Sequence, residues 1–158
     1  MQLSSKYIQY SLIVSFLLVG NIVHSQKLKA TRFPIKDVQL LSSSFSNAKK
    51  LDSGYILSLS PNRLLHRFHK NAGLPVKDSV YGGWESDGLS GHTLGHYLSA
   101  SSMMYATTRN NAYKKNIDYI VSELDICQKA RGTGYVGAIP NEDTIWAKIR
   151  RSEIKSSG

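Results

Sequence analysis

The stretch NAYKKNIDYIVSELDICQK, residues 111–129, gives the clearest indication of fold class in this sequence of 158 residues. Its apolar side chains recur at steps of three and four residues, which places them on one face of an α-helix. The predicted buried stripe consists of Tyr113, Ile117, Ile120, Val121, Leu124 and Cys127. Gly132 follows as a C-terminal stop, because glycine adopts the left-handed conformation that ends many helices. The segment therefore predicts an amphipathic helix.

Three further segments upstream have the same helical spacing. The first carries the stripe Phe45, Ala48, Leu51, Tyr55 and Leu59, with Ser44 as its N-cap. The second opens at Pro61, has Leu64, Leu65 and Phe68 on one face, and stops near Gly73. The third runs from His92 to Thr107, with Leu94, Leu98, Ser101 and Tyr105 in line. Another helix is predicted to start near Ile145, and residues 33–41 alternate loosely enough to predict one short strand. The fold class is mainly α.

Composition and charge exclude several classes of protein. With 41% hydrophobic and 20% charged residues the chain is neither disordered nor a multi-span membrane protein. A single cysteine cannot form an internal disulfide or a cysteine-rich zinc cluster. The formal net charge is +9, but the basic residues are dispersed and no nucleic-acid-binding motif accompanies them. We therefore expect no nucleic-acid partner.

Residues 1–25 have the pattern of a secretory signal peptide. Lys6 precedes the apolar run of residues 11–19, and Val23-His24-Ser25 offers a cleavage site before Gln26. A retained membrane anchor is the alternative, although the apolar run is shorter than the roughly 20 residues that a spanning helix needs. The prediction is a secreted or periplasmic domain of residues 26–158 with no membrane contact after cleavage.

Chemically capable side chains concentrate in the glycine-rich segment YGGWESDGLSGHTLGH, residues 81–96. Tyr81 and Trp84 can stack on a sugar ring. The side chains that can pair with its hydroxyl groups are Glu85, Asp87, His92 and His96. Two other interpretations stay open for the histidines, namely packing in the core and binding of a metal ion with Glu85 or Asp87. Spacing alone does not establish Glu85 and Asp87 as a catalytic carboxylate pair.

Two motifs can be set aside from the residues themselves. A zincin-type protease needs Glu directly after the first histidine, and Thr93 stands there instead. Cys127 falls on the buried stripe of its helix, which predicts an inert packing thiol.

In combination, these segments resemble the N-terminal part of the catalytic domain of bacterial β-L-arabinofuranosidases, glycoside hydrolase families 127 and 146. The matching stretches include YILSLSPNRLL (55–65), NAGLP (71–75), YGGWES (81–86), GHTLGHYLSA (91–100) and GYVGAIP (134–140). The resemblance implies an (α/α)6 barrel and retaining hydrolysis with a cysteine nucleophile near a Zn ion, plus a glutamate acid/base. Those catalytic residues lie downstream in the family, and Cys127 does not occupy their motif.

The resemblance therefore implies a fragment, residues 26–158, of an enzyme that releases terminal β-L-arabinofuranose from plant-type glycans. We expect the fragment to be inactive and to hold no cofactor, with Zn belonging to the full-length enzyme. Trp84, Glu85, His92 and His96 match the family pattern and are carried over as substrate-binding residues for an arabinofuranose-containing glycan. Two alternatives remain, a non-catalytic sugar-binding helical protein and a metal-binding helical protein that uses His92 and His96.

Overall fold

A computed structural model describes residues 30–153, and the helices it contains confirm the mainly α class. The α-helices are α1 (Ser44–Ser58), α2 (Pro61–Asn71), α3 (His92–Thr108), α4 (Asn111–Arg131) and α5 (Glu142–Arg150). Single turns of 3-10 helix occupy Ile35–Asp37 and Gly83–Glu85. All of these elements belong to one compact unit that begins at Pro34. The predicted signal peptide lies outside the described residues, and closure into a barrel stays a prediction.

The short strand predicted at residues 33–41 is wrong, since residues 30–153 contain no strand. Pro34, with φ −56°, starts a 3-10 turn in which the Asp37 N–H donates to the Pro34 carbonyl over 2.9 Å. A strand needs a neighbouring strand to pair its backbone groups, and the described helices offer none. The turn packs against α3 instead.

Local sequence signals place most helix ends correctly. Pro61 is in the first turn of α2, as predicted, and Gly132 ends α4 with φ +66°. The N-cap of α1 is Ser43 rather than Ser44, because Ser43 and Ser46 exchange side-chain and backbone hydrogen bonds in a capping box. Asn110 caps α4 by accepting a hydrogen bond from the Ala112 N–H over 3.0 Å. These caps satisfy backbone donors that have no partner within the helix.

The core lies where α2 and α3 pack against α4. Its buried members are Leu64, Leu65, Leu94, Tyr97 and Ile120. Burying a side chain of this size contributes roughly 1.5–3 kcal/mol. The long helix α4 is thus the element around which α2 and α3 are arranged.

No helix within residues 30–153 is long and apolar enough to span a membrane.

The apolar stripe of α1 is not buried as its spacing suggested. Phe45, Leu51 and Tyr55 are 75%, 67% and 66% exposed. Helix α1 meets α3 through a different face, from which Ile56 packs against the core cluster. Ser53 on this helix also pairs its hydroxyl with that of Tyr113 over 2.6 Å. An exposed apolar face of this extent is characteristic of a surface that another element covers.

Candidate functional site

The glycine-rich loop between α2 and α3 carries the candidate site and is held by close packing at its end. Gly91 has φ +88°, a conformation that favours glycine. A Cβ atom there would lie 2.9 Å from both the Ala138 Cβ and the Phe68 Cζ. Any larger residue would push the loop away from α2 and from the segment before α5. The start of α3 is therefore fixed relative to the core.

Glu85 holds the N-terminus of α3 from inside the loop. Its side chain is 6% exposed, and its two carboxylate oxygens accept hydrogen bonds from the Gly91 and Thr93 N–H groups, each over 2.8 Å. Burial by itself would raise the pKa of this carboxyl, but the hydrogen bonds from Thr93 and Gly91 outweigh it and the pKa of Glu85 is lowered. An ionised carboxylate at a helix N-terminus also interacts favourably with the helix dipole.

Trp84, His92 and His96 lie together on the outside of the same loop and helix. The Trp84 and His92 rings meet edge to face, with centroids 6.3 Å apart and an interplanar angle of 85°. The His92 and His96 rings are 4.5 Å apart, and their Nε2 atoms are separated by 3.3 Å. Trp84 is 70% exposed, and both histidines are exposed. We call these three side chains the Trp84–His92–His96 face.

The structure thus brings three of the four predicted site residues together and turns the fourth inward. Glu85 adjoins the face through the backbone, but its carboxylate is occupied by Gly91 and Thr93. Whether any of the four contacts substrate stays a prediction. The interpretation of His92 and His96 as core residues is wrong, because both are exposed.

The alternative zinc site that adds Glu85 or Asp87 to the histidines is not formed. Asp87 accepts a hydrogen bond from the Ser86 hydroxyl over 2.9 Å. In the part of the chain that the structure describes, no three His, Cys, Asp or Glu side chains are grouped to hold a metal ion.

Tyr81, which the sequence offered as a second stacking ring, supports the loop instead. The Arg63 guanidinium lies over its ring at 3.9 Å, and its hydroxyl accepts a hydrogen bond from the Ser60 N–H over 2.8 Å. Both contacts tie the loop to α2. Trp84 is therefore the aromatic side chain that this loop presents to solvent.

A buried polar network that the sequence analysis missed lies on the core side of α4. Glu123 accepts from Lys77 Nζ over 2.8 Å and pairs with His69 Nε2 over 2.7 Å, and His69 is 2% exposed. The hydrogen bond from Lys77 lowers the pKa of Glu123 against the opposing effect of burial, and the same bond raises the pKa of Lys77. The helical spacing of the sequence indicates that Glu123 is buried, since it falls on the same side of α4 as Ile120 and Cys127.

An exposed indole beside two imidazoles combines an apolar ring face with hydrogen-bonding groups in one small surface. Residues 37–155 match the family model described as "Beta-L-arabinofuranosidase, GH127 catalytic domain". The chain belongs to this family of glycoside hydrolases. No individual curated protein matches it.

The family implies a zinc ion with cysteine and glutamate ligands, and the described residues do not fit such a site. Cys127, the single cysteine, is fully buried on α4. Burial, followed by the nearby charge of Glu123, raises the pKa of the Cys127 thiol, the opposite of what a thiolate ligand needs. The prediction that Cys127 is buried is confirmed.

Proposed function

We propose that this chain supplies part of the substrate-binding surface of a glycoside hydrolase that releases terminal β-L-arabinofuranose from plant-type glycans. The observation that supports the proposal best is the exposed Trp84–His92–His96 face in a chain of this family. In this proposal the glycan is the partner, and the face recognises its arabinofuranosyl end.

Each member of the face has a chemical role that suits a sugar. The Trp84 indole offers an apolar plane to the C–H groups of a furanose ring, and its exposure leaves that plane free for contact. A neutral imidazole has one donor and one acceptor nitrogen, so His92 and His96 can each pair with a hydroxyl group. Their rings are only 4.5 Å apart, which lets both reach neighbouring hydroxyls of one small sugar.

Glu85 acts on this surface as a positioning residue rather than by contact. Its two hydrogen bonds hold the first turn of α3, on which His92 stands directly after Gly91. Trp84 directly precedes Glu85 in the sequence. The same buried carboxylate therefore helps to position the backbone of both Trp84 and His92. Such preorganisation reduces the entropy lost when a ligand binds.

Binding is tested by calorimetric titration of the full chain with methyl β-L-arabinofuranoside and with L-arabinose. We expect saturable heat, and a loss of affinity of roughly 30-fold in Trp84→Ala, as for other aromatic residues that dominate a binding surface. Trp146→Phe is the matched control, because Trp146 lies within α5 and is half-buried against Tyr135, away from the face. An absence of heat at millimolar sugar would refute the proposal.

We further propose that hydrolysis requires family residues that this sequence does not include, so that the chain alone is inactive. Incubation with an arabinofuranoside substrate should release no arabinose, and release by the purified chain would contradict this part. Reading the gene beyond codon 158 shows whether a cysteine- and glutamate-containing continuation exists.

The same proposal places the protein outside the cytoplasm, as a secreted or periplasmic chain from which residues 1–25 are removed. N-terminal sequencing of the protein from its native source should begin at Gln26. A chain that still begins at Met1 would contradict signal cleavage.

A further inference from the structure

The geometry points to a second property of the face: His92 and His96 form a two-histidine clip for a transition-metal ion such as Zn²⁺ or Cu²⁺. This inference goes beyond the proposed function and does not depend on it. It rests on the distance between the two Nε2 atoms, on the exposure of the two rings and on the contacts that hold the start of the helix that carries them.

The distance between the nitrogens suits one shared ion. Two nitrogens bound at about 2.0–2.1 Å to a tetrahedral Zn²⁺ lie about 3.3–3.4 Å apart. The Nε2 atoms of His92 and His96 are 3.3 Å apart. Little rearrangement of the side chains is therefore needed for both to bind the same metal.

The two facing nitrogens can share either a proton or a metal ion. An imidazole in its Nε2–H tautomer donates a hydrogen bond to the Nε2 atom of the other ring. When both rings carry their protons on Nδ1, the two Nε2 lone pairs are available to a metal ion in place of that proton. Both rings are exposed, so an ion reaches the clip directly from solvent.

The scaffold keeps the two ligands in register. His92 and His96 are four residues apart on α3 and so lie on the same helix face. The first turn of α3 is held by Glu85 and by the close packing at Gly91. A metal ion therefore meets a clip whose backbone is already ordered.

Two protein ligands leave coordination positions open, which makes this an exchangeable site rather than a structural one. Structural zinc sites have four protein ligands, whereas sites with open positions admit water or substrate oxygens. No third ligand group accompanies the pair within residues 30–153. The donors are imidazoles, so the clip differs from the cysteine-based zinc site that the family implies.

The test is calorimetric titration of the full chain, without any added histidine tag, with ZnCl2 and separately with CuCl2. We expect one saturable site per chain. His92→Gln and His96→Gln should each weaken it at least about 10-fold, the lower end of what loss of even an outer partner of a metal ligand costs. His66→Gln is the matched control, because His66 on α2 pairs with the Asp78 carbonyl and lies outside the clip.

Copper gives a second readout that needs no histidine variant. Because Trp84 lies 6.3 Å from the His92 ring, bound Cu²⁺ should quench its fluorescence, and the quenching should persist in Trp146→Phe. The electron paramagnetic resonance spectrum of the wild-type complex should show two coordinated nitrogens.

Each negative result overturns the clip: no saturable binding, affinity unchanged by either substitution, or dependence on only one histidine. The sugar titration repeated in EDTA separates the two ideas. Sugar binding that persists while metal binding fails refutes the clip alone, and the reverse refutes the proposed function alone.

Discussion

Replacement of Glu85 by alanine should destabilise the protein by about 2–4 kcal/mol. The substitution removes the acceptor of two hydrogen bonds of 2.8 Å, from the Gly91 and Thr93 N–H groups. Hydrogen bonds to a charged group contribute roughly 1.5–3 kcal/mol each, and loss of a helix N-cap alone costs about 0.5–2 kcal/mol. The expected value lies below the full sum of the two bonds, because Gly91 and Thr93 are only half-buried and water can partly replace the carboxylate.

Urea unfolding followed by circular dichroism measures the effect as a shift of the midpoint at constant slope. Glu85→Gln keeps one acceptor oxygen and should lose less, about 1–2 kcal/mol. Asp87→Asn is the matched control, since Asp87 is an exposed carboxylate of the same loop whose partner is a serine hydroxyl. Its effect should stay within about 0.5 kcal/mol.

The pH dependence identifies the carboxylate as the source of the effect. Because the pKa of Glu85 is lowered from its ordinary value near 4.5, its contribution is present above that pH and is lost as the pH falls through the lowered value. Glutamine does not titrate, so the difference between wild type and Glu85→Gln should shrink as the pH falls through the lowered pKa of Glu85. A Glu85→Ala variant as stable as wild type, or a difference that does not change with pH, would refute the role assigned to Glu85.

Three further predictions concern the polar groups and the thiol behind the site. Glu123→Gln should cost about 1–3 kcal/mol in urea unfolding, since it weakens the buried pair with His69. Lys114→Gln removes one partner of a solvent-exposed ion pair and should cost clearly less, so equal effects of the two substitutions would contradict this. Arg131→Lys should lower the free energy of unfolding by about 1–3 kcal/mol, because lysine lacks the planar guanidinium that pairs with both Glu142 and Asp143 at the start of α5. A change in the fluorescence of Trp146, which lies on α5, should accompany the loss. Cys127 should react with a thiol reagent only at the rate of unfolding, and immediate reaction of the native chain would contradict its burial.

The helices were predictable because their signals are local. Pro61 in the first turn of α2 and Gly132 at the end of α4 act through backbone conformations within a few residues. The strand at residues 33–41 could not be judged in this way, since a strand is stable only beside a partner. The N-cap of α1 lies one residue before the predicted position. Both Ser43 and Ser44 have side chains that can cap a helix, and only the reciprocal hydrogen bonds with Ser46 distinguish them.

The candidate site was predictable in its composition but not in its orientation. Trp84, His92 and His96 share a short segment, and the helical spacing of the histidines already placed them on one face. The orientation of the Glu85 side chain could not be predicted from the sequence, because a carboxylate in a glycine-rich loop can face solvent or a helix N-terminus equally well. In the folded chain Gly91 packs closely against Ala138 and Phe68, and the Gly91 and Thr93 N–H groups bind the buried Glu85 carboxylate.

The amino-acid sequence by itself determined the helical class, most helix boundaries and the family, because caps, periodicity and motifs are properties of neighbouring residues. The tertiary structure alone decided which faces are covered. Leu51 and Tyr55 have the spacing of a buried stripe yet are exposed, since burial depends on what the rest of the chain places opposite. His69 and Glu123, 54 positions apart, form a buried pair for the same reason. Hydrogen bonding and packing between distant segments thus determine which of the chain's polar groups can meet a ligand.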